Sequence, residues 1–280
     1  MKSNLWTKRI LGVATAISMI VVLMAIPSPA GATSQTAGRM ANQTAQVSLL
    51  PPNQPAATGD EKWSGQFELG VDGWVFASVF APNGDLYIGG TFQHVAGISA
   101  NNVARWVAST NTWSALGSGT DGTIGALLFS GDTLYVGGGF IHAGGIEVNG
   151  IASYNVNSGT WSNLGSGMAS TNLGVSVAAL ATDGSGNIYA GGRFDSAGGI
   201  PAVNIARWNG SSWSAMGSGL GSIWDLIQAI AVSGSDVYAG GYVVSPAGNL
   251  YKFDGSFWSV VGGGTNGMVS SWHSVGATCS

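Results

Sequence analysis

The chain has 280 residues, of which 46 are Gly and only 8% are charged, well below the quarter usual in soluble domains. Gly at that density excludes long helices and coiled coils, and its lack of a three-residue period excludes collagen. Eleven Trp, seven Tyr and nine Phe exclude a chain with nothing to bury, and a formal net charge of −4 excludes the clustered cations that a nucleic-acid surface needs. The only cysteine is Cys279, so an internal disulfide, a Cys-based zinc site and a CxxC redox motif are excluded as well.

Met1 to Arg9 carries three positive charges, Ile10 to Ile26 is an apolar run, and Pro27-Ser28-Pro29 leads into the small-residue sequence Ala30-Gly31-Ala32. This order predicts a secretory signal peptide over 1–32, hence a secreted or cell-surface protein with no stable membrane span once the signal is cleaved. Loss of Lys2, Lys8 and Arg9 leaves six basic residues against thirteen acidic ones, a net charge of −7. Residues 33–60 are rich in Ser, Thr, Gln, Asn, Ala and Pro and read as a flexible linker, which leaves 61–280 as the folded part.

That part is one unit written four times. Tyr87-Ile88-Gly89-Gly90, Tyr135-Val136-Gly137-Gly138, Tyr189-Ala190-Gly191-Gly192 and Tyr238-Ala239-Gly240-Gly241 recur at spacings of 48, 54 and 49. An aromatic follows each pair (Trp106, Tyr154, Trp208, Phe253), and five or seven residues on stands Trp113, Trp161, Trp213 or Trp258. A Leu-Gly-Ser-Gly stretch at Leu116, or its variants at Leu164, Met216 and Val261, closes each unit. In the third unit, period-two alternation and turn residues predict strands at Val177–Thr182, Asn187–Phe194, Asn204–Trp208 and Trp213–Met216. Four short antiparallel strands per unit predict an all-β chain, a β-propeller of four-stranded blades whose repeated Trp and Tyr pack between neighbours. Trp63-Ser64 and Leu69-Gly70 read as a partial strand ahead of the four units, and Gly267 to Val275 as the start of another behind them. A closed four-blade ring, a five-blade ring lacking strands and an open array all fit; an open array would oligomerise through its edges.

The Gly-Gly pair, the spaced Tyr or Trp and the following Trp resemble the Kelch repeat, as in Kelch-type and galactose-oxidase-like propellers. Tyr154 to Trp161 is closest to that pattern, and the resemblance covers about Val75 to Gly264. It implies that the connections between second and third strands, with those between blades, form the ligand face. His94 and His142 stand at equivalent places there, with Asp195 on the next blade. A metal reading would combine these two imidazoles and one carboxylate, but solvated loop residues of a duplicated unit account for them better, so no metal or other cofactor is expected. The family's copper radical oxidase chemistry needs a Tyr–Cys cross-link, and Cys279 has only His273 near it in sequence. Asp85, Asp132, Asp183 and Asp236 recur in the first hairpin of each unit, where a turn role is expected in place of paired glycosidase carboxylates. No catalytic residue is assigned. Trp224 and Asp225 lie in the longest departure from the repeat, and Trp224 has no counterpart from which to inherit a packing role. These features predict a non-catalytic module that binds a protein or carbohydrate ligand, with a secreted polysaccharide-acting enzyme using the same face as the alternative.

Overall fold

The computed structural model describes residues 70–244 and 248–271. The expected signal peptide over 1–32 and linker over 33–60, with Trp63, Leu69, His273 and Cys279, lie outside them. The chain divides into residues 1–54 and 55–280, and everything described belongs to the second unit. All of its described regular structure is strand, in four antiparallel four-stranded sheets that follow one another along the sequence and three smaller sheets in the connections. Blade 1 comprises Trp74–Phe80, Leu86–Thr91, Val103–Val107 and Thr112–Ala115; blade 2 comprises Thr123–Ser130, Thr133–Gly139, Ile151–Asn155 and Thr160–Asn163. Blade 3 is built from Ser176–Thr182, Ile188–Arg193, Ile205–Trp208 and Trp213–Ala215, within two residues of the strands expected from the sequence. Blade 4 runs through Leu226–Ser233, Asp236–Tyr242, Leu250–Phe253 and Trp258–Val260.

The Gly-Gly pairs explain how blades stack. A Cβ on Gly89, Gly137 or Gly191 would lie 2.5–2.7 Å from Ile124, Val177 or Ile227, the apolar residue that the next blade's first strand presses onto it. The second glycine serves its own blade. The first strands bulge between Val75 and Ala77, Ile124 and Ala126, Val177 and Ala179, and Ile227 and Ala229. At each bulge a carbonyl lies 1.9–2.1 Å from where a Cβ on Gly90, Gly138, Gly192 or Gly241 would stand. The core therefore lies largely between blades: Tyr87 and Val103 of blade 1 cluster with Ile124 and Leu134 of blade 2, and Ile205 of blade 3 with Ile227 and Tyr251 of blade 4. Burying such side chains contributes roughly 1.5–3 kcal/mol apiece, so most of the stability resides in these seams.

Polar bonds fasten the same seams. The indole nitrogens of Trp161, Trp213 and Trp258 donate to the carbonyls of Leu116, Leu164 and Met216 in the blade before, at 2.9, 2.7 and 3.0 Å. Asn102, Asn204 and Asn249 hold φ of 64°, 62° and 55°, the left-handed region that Asn tolerates. Each accepts a backbone N–H of its own blade through Oδ1, from Phe92, Phe194 and Val243, and donates through Nδ2 to the segment leaving that blade, at Thr120, Leu220 and Thr265.

The repeated hairpin aspartates serve different ends, and Asp132 accepts a hydrogen bond from Nδ2 of Asn157, beyond the third strand, at 2.9 Å. Asp183 is the expected turn residue, its Oδ1 accepting the Ser185 and Asn187 amides. Asp85 and Asp236 do something else: they pair with Arg105 and Lys252 on the third strand, each cation standing 5.9 Å from the ring centre of Tyr87 or Tyr238. Asp85 is buried and also accepts the Ala108 amide at 2.8 Å. Burial opposes its ionisation, and the Ala108 amide and Arg105 guanidinium outweigh that, holding its pKa below the ordinary carboxylate value.

First strands of successive blades lie against one another, blade 1 on 2, 2 on 3 and 3 on 4; among the described residues no contact as extensive joins the first strands of blades 4 and 1.

Candidate functional site

The connections between second and third strands share a small hairpin. His94–Val95 pairs with Ile98–Ser99, His142–Ala143 with Ile146–Glu147, and Ser196–Ala197 with Ile200–Pro201. Their turns carry two consecutive residues of positive φ: Ala96 and Gly97 (48° and 79°), Gly144 and Gly145 (59° and 84°), Gly198 and Gly199 (58° and 82°). Each hairpin also pairs with the segment entering its blade, through Val71 with Val95, Thr120 with Ala143, and Ala169 with Ser196. Inter-blade segments and hairpins thus share one face.

The sequence-predicted histidines are hairpin anchors. His94 Nδ1 lies 2.8 Å from Asp72 Oδ2, and His142 Nδ1 lies 2.7 Å from Asp121 Oδ2. The other oxygen of each carboxylate accepts two amides, from Gln93 and His94 in blade 1 and from Ile141 and His142 in blade 2. The His94 amide and ring hold the Asp72 carboxyl down to about 2. For Asp121, burial pushes the pKa upward, but the His142 amide and ring and the Ile141 amide prevail and lower it.

Asp195 performs the same task from the opposite side. Its Oδ2 accepts both the amide and the hydroxyl of Thr171, each at 2.6 Å, so in blade 3 the carboxylate sits on the loop and its partner on the entering segment. His94, His142 and Asp195 are each engaged within their own blade and are not brought together. Among the described residues no three His, Cys, Asp or Glu side chains are grouped as a metal would require.

Asp225 is 1% exposed, which removes it from direct ligand contact. Its Oδ2 accepts the Ser222 amide and hydroxyl at 2.6 and 3.0 Å, and its Oδ1 accepts the Val244 amide at 3.1 Å. Asp225 therefore fixes the Ser222–Asp225 turn to the loop after the second strand of blade 4. Trp224 stands on that turn 64% exposed, its amide donating to Ser222 Oγ. Val244, bonded to Asp225, and Tyr242, paired with Leu226, are exposed beside it in the structure's connectivity. Reading the sequence singled out Trp224 but missed Asp72 and Asp121; the repeated Asp72-Gly73 and Asp121-Gly122 just before the first strands was the available signal.

A polar cleft of about 530 Å³ opens between blades 1 and 2, lined in part by Asp72, Gln93, Asn101, Asn102, Thr120 and Asp121. Most of that polarity is already spent. Asn101 and Asn102 donate to the Ser118 and Thr120 carbonyls, Thr120 donates to Gly122, and both aspartates hold their hairpins.

Residues 130–275 match the family model of the Rax2 C-terminal beta propeller domain. The chain belongs to that family. This Rax2-type propeller is matched across blades 2 to 4. No curated protein matches the chain. Among solved structures, it is similar to the extracellular domain of a hybrid two component system from B. thetaiotaomicron, with 14% identity and a TM-score of 0.48, covering 70% of this chain and 24% of that one. A computationally designed protein, Ika4, matches at 16% identity and a TM-score of 0.42, over 65% of this chain and 92% of that one. The GH74 xyloglucanase from Xanthomonas campestris matches at 18% identity and a TM-score of 0.46, over 71% of this chain and 32% of that one. The chain spans about a quarter of the first of these structures. Among the described residues no helix is long and apolar enough to cross a membrane.

Proposed function

We propose that this propeller is a secreted or cell-surface, non-catalytic module that binds a protein or glycan ligand through the connection face of its blades. The observation that carries the reading is Trp224, a large aromatic held 64% exposed on a turn anchored by a buried carboxylate. An indole in solvent gains nothing from its own fold, whereas a fixed exposed indole offers a ligand apolar area at little entropic cost. The Kelch-like repeat pattern supports the choice of face, and the segment over 1–32 supports export. The alternative, a polysaccharide-acting enzyme using His142 and Asp195, is less well supported because both groups are committed to hairpin bonds in separate blades.

The test compares wild type with Trp224→Ala in affinity capture from cell-surface extracts and in Trp-fluorescence titration against soluble polysaccharides. The reading expects binding by wild type, at least a tenfold loss in the variant and an unchanged melting temperature. Release of reducing sugar that disappears in His142→Ala or Asp195→Asn would establish the enzyme instead.

A further inference from the structure

The first strand of blade 1 turns an apolar face to solvent. Trp74 and Phe80 are 71% and 65% exposed, Phe76 is exposed as well, and Val75 stands 36% exposed where Ile124, Val177 and Ile227 are fully buried on the glycine of a preceding blade. The opposite end of the array carries the matching feature. Beyond blade 4 the chain returns over it as a next first strand would: Asn249 donates to the Thr265 carbonyl, Thr265 Oγ1 bonds Gly267 as Thr120 bonds Gly122, and Val269 covers Gly240. The two segments are alike in sequence, Val71-Asp72-Gly73-Trp74-Val75 and Thr265-Asn266-Gly267-Met268-Val269. Among the described residues all four Tyr-x-Gly-Gly strands already have a covering residue, Ile124, Val177, Ile227 or Val269, and Val75 covers none of them.

We propose that two copies join head to tail, the first strand of blade 1 in one copy replacing residues 265–271 on blade 4 of the other. The contact continues a seam that the chain uses three times internally. The incoming strand also brings Phe80, whose counterpart Phe129 packs edge to face on Tyr87 of the preceding blade with ring centres 5.0 Å apart, a seam contact that residues 265–271 do not reach. The resident segment competes with the advantage of being tethered, which makes assembly depend on concentration. Because the contact is heterologous, repetition yields a ring or a chain of copies.

Light scattering across a concentration series, on the secreted protein with Cys279 kept reduced, tests the proposal. The expected result is a mass rising from one copy to multiples, return to one copy in Val75→Arg or Phe80→Lys, and assembly at tenfold lower concentration in Val269→Asp, which frees the site on blade 4. Trp224→Ala is expected to assemble as wild type does. Near-UV circular dichroism checks that each variant keeps its packed aromatics. A mass of one copy for wild type and Val269→Asp at every concentration overturns the proposal, as does an assembly that Val75→Arg and Phe80→Lys leave intact.

Discussion

The indole Nε1 of Trp213 in blade 3 donates to the carbonyl of Leu164 in blade 2, and this buried 2.7 Å bond ties residues 49 apart in sequence across a seam. Trp213→Phe keeps an aromatic in the site and leaves that carbonyl with only the Gly167 amide, at 3.3 Å. The expected cost is about 0.5–1.5 kcal/mol, the net worth of one hydrogen bond. Chemical denaturation is expected to show a lower midpoint with an unchanged slope.

Gly191 has no room for a methyl group, since a Cβ there would stand 2.7 Å from Ile227 and 2.8 Å from Ile230. Gly191→Ala is expected to destabilise by about 1–3 kcal/mol through overpacking of the seam between blades 3 and 4. Gly174→Ala, at a site with open space around it, is the neutral control. In a double-mutant cycle Ile227→Ala should recover part of the loss, and simple additivity of the two substitutions would contradict the steric account.

Ala96 holds φ of 48°, where the other two hairpins have Gly144 and Gly198. An alanine in the left-handed region is strained, and Ala96→Gly is expected to gain up to about 1 kcal/mol. Thermal melts would register that as a rise of about 2–4 °C. The equivalent glycines could not be exchanged the other way, because a Cβ on Gly144 would meet the Trp161 ring at 2.2 Å.

The Asp72 carboxyl, held down to about 2 from an ordinary 3.8, makes the blade 1 hairpin acid-sensitive. A group whose folded pKa is depressed stabilises above its unfolded pKa and loses that contribution as pH falls through the folded one. The window is therefore pH 4 down to 2. Amide exchange at Gln93 and His94, corrected for its intrinsic pH dependence, is expected to lose protection across it, and Asp72→Asn should abolish the transition locally.

Two ion pairs of the same pattern should differ in worth. Asp85 is buried and shares its oxygens between Arg105 and the Ala108 amide, so Asp85→Ala is expected to cost about 2–4 kcal/mol. Asp236 and Lys252 are each about a third exposed, and Asp236→Ala should cost under about 1 kcal/mol. Comparable losses at the two sites would mean that burial does not set their difference.

The fold was legible in the sequence because its rules are local and repeated. Gly-Gly, the following aromatic and the Trp each answer a steric demand that recurs in every seam, so four copies of one demand stand out from the background. The Asn clamps were equally visible, twelve residues after the second glycine at Asn102 and Asn204, with Gly150 at the same place in blade 2. They went unread because Asn in a loop is ordinarily a turn residue. The repeated Asp-Gly marked Asp72 and Asp121, but their pairing with His94 and His142 was harder to read, since the members lie 22 and 21 residues apart on different segments. The exposure of Trp224 follows from the burial of Asp225 beneath its turn, which only three-dimensional connectivity reveals.

The asparagine clamps also impose an order of events on a chain delivered from its N-terminus. Asn102, Asn204 and Asn249 find their acceptors at Thr120, at Leu220 and Ser222, and at Thr265, in polypeptide that is made after the loop they brace. A unit just emerged from a ribosome or an export channel thus keeps an unfilled donor until sixteen to eighteen further residues arrive. Sealing is vectorial: blades 1, 3 and 4 are each locked by the segment that follows them, and a pause in delivery would leave the newest of them still ajar.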